Sequence, residues 1–399
     1  MDRHSDSLVQ KRKRFKPDIL LVTMIILIAT FGIVMVYSAS HYHATVTFDN
    51  PFHFALRQAI FACAGIGIML FIGHKFDYRI FSNMKIAGII YGTSLLLVLS
   101  LPILGHESKG ATRWIMLPGG ITIQPSEFAK IGVILMLSAY IVKYRRKLNE
   151  WLYLGIGGLI IALPAAAVLV ENLSSAIVIG AVGFIILFIS TPKVWYYVVV
   201  LIIAFSSVFY ALHLAETSDS NGPEFAGIKG VIFQQYRLDR FRVWQDPWLD
   251  PKDKGYQAIQ SLYAIGSGGL FGQGLGRGIQ KQGFLPEPHN DIIFSVICEE
   301  LGLFGAACVI LAYSVLIIRG LAVAVRADEL FGSLVATGIV GMIAVQVLIN
   351  IAVNTNTFPT TGMQLPLISY GGTALIILLS SLGLLVNISR TSHIQKPPR

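Results

Sequence analysis

The chain has 399 residues, of which 54% are hydrophobic and 13% charged, and its mean hydropathy is +0.66. A soluble domain carries roughly 25% charged residues, so this composition excludes an ordinary water-solvated globule and makes lipid the solvent for most of the chain. The net charge of +9 does not point to nucleic acid, because Lys and Arg fall in short clusters between apolar runs, the pattern the positive-inside rule produces.

The N-terminus carries Lys11, Arg12, Lys13, Arg14 and Lys16 ahead of an apolar run. That run, about Ile19 to Tyr37, exceeds a signal-peptide core of roughly 7–15 residues and reads as a retained first membrane helix. A stretch of about 20 apolar residues spans a bilayer as a helix, since a helix satisfies its own backbone groups in hydrocarbon. About ten such stretches are predicted: 18–38, 54–72, 83–103, 125–143, 151–170, 173–190, 194–213, 291–318, 331–354 and 365–388. Nine or eleven would also fit the hydropathy. The fifth and sixth form a tight hairpin with Glu171 and Asn172 at its tip.

With an even count, roughly 19 basic residues collect on the side of the termini, against about three (Arg57, Lys109, Arg113) in the short loops opposite, so both termini are expected in the cytoplasm. The expected fold class is an all-α polytopic membrane protein. A basic tail (1–17) leads into helices one to seven (18–213). A large extracytoplasmic segment (214–290) precedes helices eight to ten (291–388) and a short tail (389–399). Cys63, Cys298 and Cys308 lie in or beside apolar segments with no CxxC pair, so neither a disulfide framework nor a zinc site is expected.

Four polar features interrupt this pattern. In chain order, Arg113-Trp114 precedes Gln124-Pro125-Ser126-Glu127-Phe128-Ala129-Lys130. Glu127 and Lys130 stand one helical turn apart in the fourth span, where ionisable groups are costly and default to functional candidates. The alternative is a pair that neutralises itself for packing.

Within the outer segment, Arg237, Arg240 and Arg242 suit a diphosphate or a wetted surface. A glycine-rich run from Gly266 to Gly278 resembles a phosphate loop in composition only. It lacks GxxxxGK[ST] and any βαβ context, leaving either backbone N–H groups with Arg277 at a pyrophosphate or a flexible outer loop. The helical spacing from Tyr256 to Ile265 predicts an interfacial or re-entrant helix.

Next, Pro286-Glu287-Pro288-His289-Asn290-Asp291 leads to Glu299-Glu300-Leu301-Gly302. Asp291 falls where the outer segment becomes the eighth span. A carboxylate at a water–membrane boundary is suited to base work on a lipid-tethered sugar, while the other reading makes Asn290 or Asp291 a helix N-cap. Last, Pro359, Gly362, Pro366, Gly371 and Gly372 punctuate the approach to the final span. They mark either a shaped groove or a proline kink with close helix packing.

Together with Val36-Tyr37-Ser38-Ala39-Ser40 and Leu365-Pro366-x-x-Ser369-Tyr370-Gly371-Gly372, these blocks resemble the SEDS family (FtsW/RodA/SpoVE), in order, from about residue 18 to 390. The segment Arg237-Leu238-Asp239-Arg240 to Asp246-Pro247 is more similar to the division and sporulation branch. The resemblance implies ten transmembrane helices and polymerisation of lipid II into β-1,4 glycan strands. Its essential aspartate corresponds to Asp291, as general base.

Lys130, Glu127, Arg113, Trp114 and Gln124 are the expected substrate-binding set around the fourth span. Arg237, Arg240, Arg242, His289 and Ser369 are expected to complete it from the outer segment and the last span. The implied partners are a class B penicillin-binding transpeptidase, divisome or sporulation proteins, and membrane lipid. The expected location is the bacterial cytoplasmic membrane.

No cofactor is called for with certainty. A divalent cation such as Mg²⁺ would help with the leaving group, although no acidic cluster shows Mg²⁺-ligand spacing. Asn290-Asp291-Ile292 stands where the family often has Thr-Asp-Phe, and Glu171-Asn172-Leu173-Ser174-Ser175 where it often has a Pro-Asp-Leu-Gly-Thr turn. A lipid II flippase and a non-catalytic division scaffold are the alternatives.

Overall fold

The structure, a computed structural model, describes residues 16–391 except 109–110, 118–120, 171, 194, 218–234 and 254. The expected basic tail up to residue 15, Lys109, Glu171, much of the outer segment and the end of the C-terminal tail lie outside the described residues.

The chain runs through α1 (Ile19–Phe48), α2 (His53–Lys75) and α3 (Met84–Leu99), then β1 (Gly105–Ser108), β2 (Ala111–Leu117) and β3 (Ile121–Ile123). It continues as α4 (Pro125–Tyr144), α5 (Trp151–Leu169), α6 (Leu173–Ser190), α7 (Trp195–Thr217) and α8 (Gln235–Gln245). The last four helices are α9 (Tyr256–Gly268), α10 (Ile293–Val325), α11 (Leu330–Asn354) and α12 (Thr373–Ser389).

Among the described residues, seven helices (α1, α2, α4, α5, α6, α10 and α11) are long and apolar enough to cross a membrane, while the apolar α3 and α12 are shorter. This is an all-α integral membrane fold with one small sheet among the described residues. Several helices start where the sequence offers a cap. Asp18 accepts from Leu21 N at 3.0 Å, Asn83 from Lys85 N at 3.0 Å and Asn172 from Ser175 N at 3.1 Å.

Burial separates centre from periphery. The most apolar windows of the α4 and α11 spans are 72% and 67% buried, against 22% for α5, so the first two form the interior and α5 faces outward. The α2–α12 pair is locked at one end by Asn387, whose Nδ2 donates to the carbonyls of Ile72, Gly73 and Phe76 at 2.8–3.1 Å. It thereby caps the orphan carbonyls at the end of α2.

Four expectations change. The segment between α3 and α4 is an antiparallel sheet in the order β1-β2-β3, with Trp114 opposite His106 and Ile115 opposite Ile123. The last span begins at Thr373 rather than 365, because residues 355–372 are non-helical and hold their backbone through tertiary bonds. The N-cap reading of Asn290 and Asp291 fails: Ile292 occupies the cap position without a side-chain bond. Asn354 on α11 acts instead, accepting from Ser295 N at 3.2 Å and from Ser295 Oγ at 2.7 Å.

The fourth change concerns the glycine-rich run, which is neither a phosphate loop nor a loose one. Helix α10 is broken at Gly302, where φ is 66°, and the run fills the break like a strap. Gln273 N and Gly274 N donate to the carbonyls of Glu299 and Glu300 at 3.0 and 2.9 Å, while Leu303 N and Phe304 N donate to those of Gly269 and Leu270 at 2.9 and 3.1 Å. Buried Glu300 and Lys281 form an ion pair beneath the strap, joined by Ser38. The strap thus satisfies backbone groups that a broken helix would leave exposed in hydrocarbon.

Candidate active site

Three consecutive carbonyls hold the approach to α10. His289 O accepts from Tyr370 N at 2.9 Å and Asn290 O from Ser369 Oγ at 2.6 Å. Asp291 O accepts from Asn350 Nδ2 at 2.8 Å and from Asn354 Nδ2 at 3.0 Å. Asn350 also donates to Met363 O at 2.6 Å, and Ser261 of α9 bonds both Ser295 and the Asn354 carbonyl. The Asp291 backbone is therefore fixed by α11 and by the segment before α12. Its carboxylate points elsewhere, with Gln257 Nε2 of α9 at 3.4 Å from Oδ2.

Gly362 is the meeting point. Its φ of 71° favours glycine, and a Cβ placed there would lie 3.8 Å from both Arg113 Nη1 and Asp291 Oδ2. Arg113 arrives on β2, the middle strand of the sheet, which is tied to α12 by Thr373 Oγ1 donating to Thr122 O at 2.6 Å. A guanidinium and a carboxylate thus converge on the rim of a polar cleft.

The cleft, about 90 Å³, is lined by Arg113, Trp114, Gln124, Glu127, Gln346 and Ser369 among others. Asp291 is not itself a lining residue; it reaches the cleft across Gly362. An apolar groove of about 490 Å³ lies next to it, between α2, α3, α4 and α12, and includes Phe128 and Ile376. These are the chain neighbours of the cleft residues Glu127 and Leu375, so the two cavities share walls.

Residues 18–394 match the cell cycle protein family FtsW/RodA/SpoVE. The chain belongs to the FtsW/RodA/SpoVE family. It is 37% identical over 383 residues to Stage V sporulation protein E of Bacillus subtilis (strain 168), across 96% of this chain and 99% of that protein. It is 36% identical to a probable peptidoglycan glycosyltransferase FtsW of Geobacter sp. (strain M18), across 93% and 96% of the two chains. Among solved structures it is similar to a chain of a peptidoglycan synthase complex studied for polymerization and crosslinking, with a TM-score of 0.73, 26% identity and coverage of 95% and 99%. The rod shape determining protein RodA of Thermus thermophilus matches with a TM-score of 0.64, 25% identity and coverage of 94% and 98%.

In this FtsW/RodA/SpoVE chain the expected site residues divide into two groups. Arg113, Trp114, Gln124, Glu127 and Ser369 line the cleft. Lys130 is buried just behind it, its Nζ 2.6 Å from Glu127 Oε1. The Ser369 hydroxyl is engaged on both sides, donating to Asn290 O and accepting from Leu365 N, so it positions the loop.

His289 is buried in an aromatic cluster, 4.3 Å from the Phe54 ring and 5.7 Å from Tyr370. Arg240 on α8 donates to Thr360 O at 2.8 Å, bracing the segment that carries Gly362. Arg242 is half-buried on the same helix and does not line the cleft. The Arg237 side chain lies outside the described residues. Among the described residues no group of three or more His, Cys, Asp or Glu is placed to hold a metal ion.

Asn350 and Asn354 belong to none of the motifs above, yet the sequence carries a signal for them: with Gln346 they are three amides one turn apart in a largely apolar span, where buried polar groups need partners.

Proposed function

We propose that this chain is a peptidoglycan glycosyltransferase that polymerises lipid II, with Asp291 as general base. The carrying observation is the convergence of Asp291 Oδ2 and Arg113 Nη1 on Gly362 at the cleft rim. The names of the curated relatives support the activity. The Asp291 carboxylate takes the proton from the 4-hydroxyl of the acceptor's N-acetylglucosamine. The freed oxygen forms a bond to the anomeric carbon of the donor's N-acetylmuramic acid, and the bond from that carbon to the diphosphate breaks. The prenyl diphosphate leaves from the opposite face, giving a β-1,4 linkage with inversion.

Negative charge builds on the departing diphosphate, and preorganised cations stabilise such charge most in a water-poor site. Arg113 at the rim and Lys130 behind Glu127 are the cations assigned to that task. The adjoining apolar groove of about 490 Å³ suits a prenyl tail.

The cleft of about 90 Å³ is smaller than the roughly 300 Å³ of an ordinary small-molecule pocket. Admission of two lipid-linked sugars therefore requires its outer wall to part. In this reading the chain crosses the bacterial cytoplasmic membrane ten times with both termini in the cytoplasm. It works beside a class B penicillin-binding transpeptidase during division or sporulation.

The test is glycan polymerisation by the purified protein with its transpeptidase. Asp291→Asn is expected to cut polymerisation to a small residual rate while leaving thermal unfolding unchanged, and turnover at the wild-type rate would remove the base assignment. Translocation of lipid II across liposomes without polymer would favour a flippase instead.

A further inference from the structure

Helix α11 carries Gln346, Asn350 and Asn354 at i, i+4 and i+8, hence on one face. The two asparagine amides are engaged by the main-chain oxygens of Asp291 and Met363. Gln346 differs. Its side-chain amide makes no hydrogen bond among the described residues, it is only 7% exposed, and it lines the cleft. Its amide therefore opens on the cleft and is available to a ligand there, and polar groups inside membrane spans default to functional roles.

Depth identifies what this amide meets. A rise of 1.5 Å per residue puts Gln346 about 6 Å below Asn350, toward the membrane interior. The opposing helix gives the same level. A side chain at Gly338 would press on Ile134, and α4 and α11 run antiparallel. Moving two turns outward from that contact on each helix brings Gln346 level with Ser126, one turn above Lys130. A lipid-linked sugar is layered in the same order, with sugar outermost, diphosphate next and prenyl chain deepest. Asp291 marks the sugar layer, and the groove at Phe128 and Ile376 lies beyond.

Building on the glycosyltransferase reading, we infer that Gln346 donates its carboxamide N–H to the diphosphate of the lipid-linked donor. It thereby helps to hold that group as its bond to the sugar breaks. This makes Gln346 a direct substrate contact, working alongside the Lys130 ammonium. The choice between diphosphate and a sugar acetamido group is set by depth, and the experiment separates them.

The test uses the full-length protein in lipid nanodiscs and measures affinity for a sugar-free prenyl diphosphate. Gln346→Leu should weaken it about tenfold or more, the effect of losing a hydrogen bond to a charged group. Gln346→Glu should weaken it further, because it places a carboxylate against the diphosphate. Affinity for the matching prenyl alcohol should stay unchanged in both, which excludes damage to the tail groove or to folding.

The inference is overturned if Gln346→Leu binds the sugar-free diphosphate normally. Normal binding of that probe with weakened binding of the intact lipid-linked disaccharide would place the contact on the sugar. It is equally overturned if affinity for the alcohol falls in parallel, or if the wild type has no affinity for the diphosphate. Continued polymerisation by Asp291→Asn would sink the base assignment while leaving these binding results standing.

Discussion

Arg113 Nη1 and Asp291 Oδ2 face the same point in space: a methyl group added at Gly362 would stand 3.8 Å from each. The cation arrives on β2 of the small sheet and the carboxylate on the lead-in to α10. Gly362, whose φ is 71°, lies where they approach.

Gly362→Ala should therefore impair chemistry more than folding. A non-glycine residue in left-handed backbone costs about 1–2 kcal/mol, a modest fall in thermal stability. The methyl group itself would meet base and cation at 3.8 Å, an ordinary contact, but relief of the backbone strain would shift the rim, and displacing reacting groups by about 1 Å can lower turnover as much as 100-fold. Polymerisation rate and melting temperature, measured side by side, check this. A variant that melts lower but polymerises normally would show that the convergence is incidental.

Asn354 offers a test of positioning. Its amide supports Asp291 O and Ser295, so Asn354→Leu leaves buried groups unpaired at about 1–3 kcal/mol each. Turnover should fall sharply in the otherwise native protein. In an Asp291→Asn background the same change should lower residual turnover little further, because residues that act as a unit are non-additive. Equal losses in both backgrounds would mean that Asn354 acts independently of Asp291.

The Lys281–Glu300 pair beneath the strap is buried at both ends, 5% and 0% exposed. Removing one partner strands a charge, so Lys281→Met should destabilise by about 3–5 kcal/mol. Adding Glu300→Gln should recover most of this loss. A neutral amide can still accept from Gly276 N, which donates to Glu300 Oε2 at 3.1 Å, and it leaves no unpaired charge. Thermal unfolding of the single and double variants in one detergent decides it, and a double variant no more stable than Lys281→Met would count against the charge argument.

Gly302→Ala should dislodge the strap. A Cβ there would fall 2.4 Å from Gly272 N and 2.5 Å from Leu270 O, in backbone whose φ is 66°. Limited proteolysis should then cut between residues 268 and 285, where the native protein resists. Gly158→Ala is the control, since nothing lies within 4 Å of the added carbon, and its digestion pattern should match the wild type. An intact strap in Gly302→Ala would refute the close-approach argument.

Part of the cleft is legible in the sequence: the blocks that resemble the family carry Arg113, Trp114, Gln124, Glu127 and Ser369, and these five residues line one cleft. The family-like block before α10 also carries His289, and the basic run carries Arg240, yet one is packed into an aromatic cluster and the other braces the Thr360 carbonyl. A motif records that a residue matters to the fold or the chemistry, and only neighbours in space distinguish the two. The Asn350–Asn354 stripe had a visible pattern, but its purpose depends on carbonyls distant in sequence.

The amino-acid sequence determined the membrane helices, because apolar length is sufficient for a helix and each of its backbone hydrogen bonds closes within four residues. It also determined that polar groups interrupt those helices at a few defined places. Tertiary structure alone decided that Arg113 and Asp291 share a neighbour, that a glycine-rich strap completes broken α10, and that Asn354 rather than Asn290 or Asp291 caps that helix. The reason is physical: where the backbone is not helical its donors and acceptors need partners from elsewhere in the chain, and which ones meet depends on how all the helices pack together.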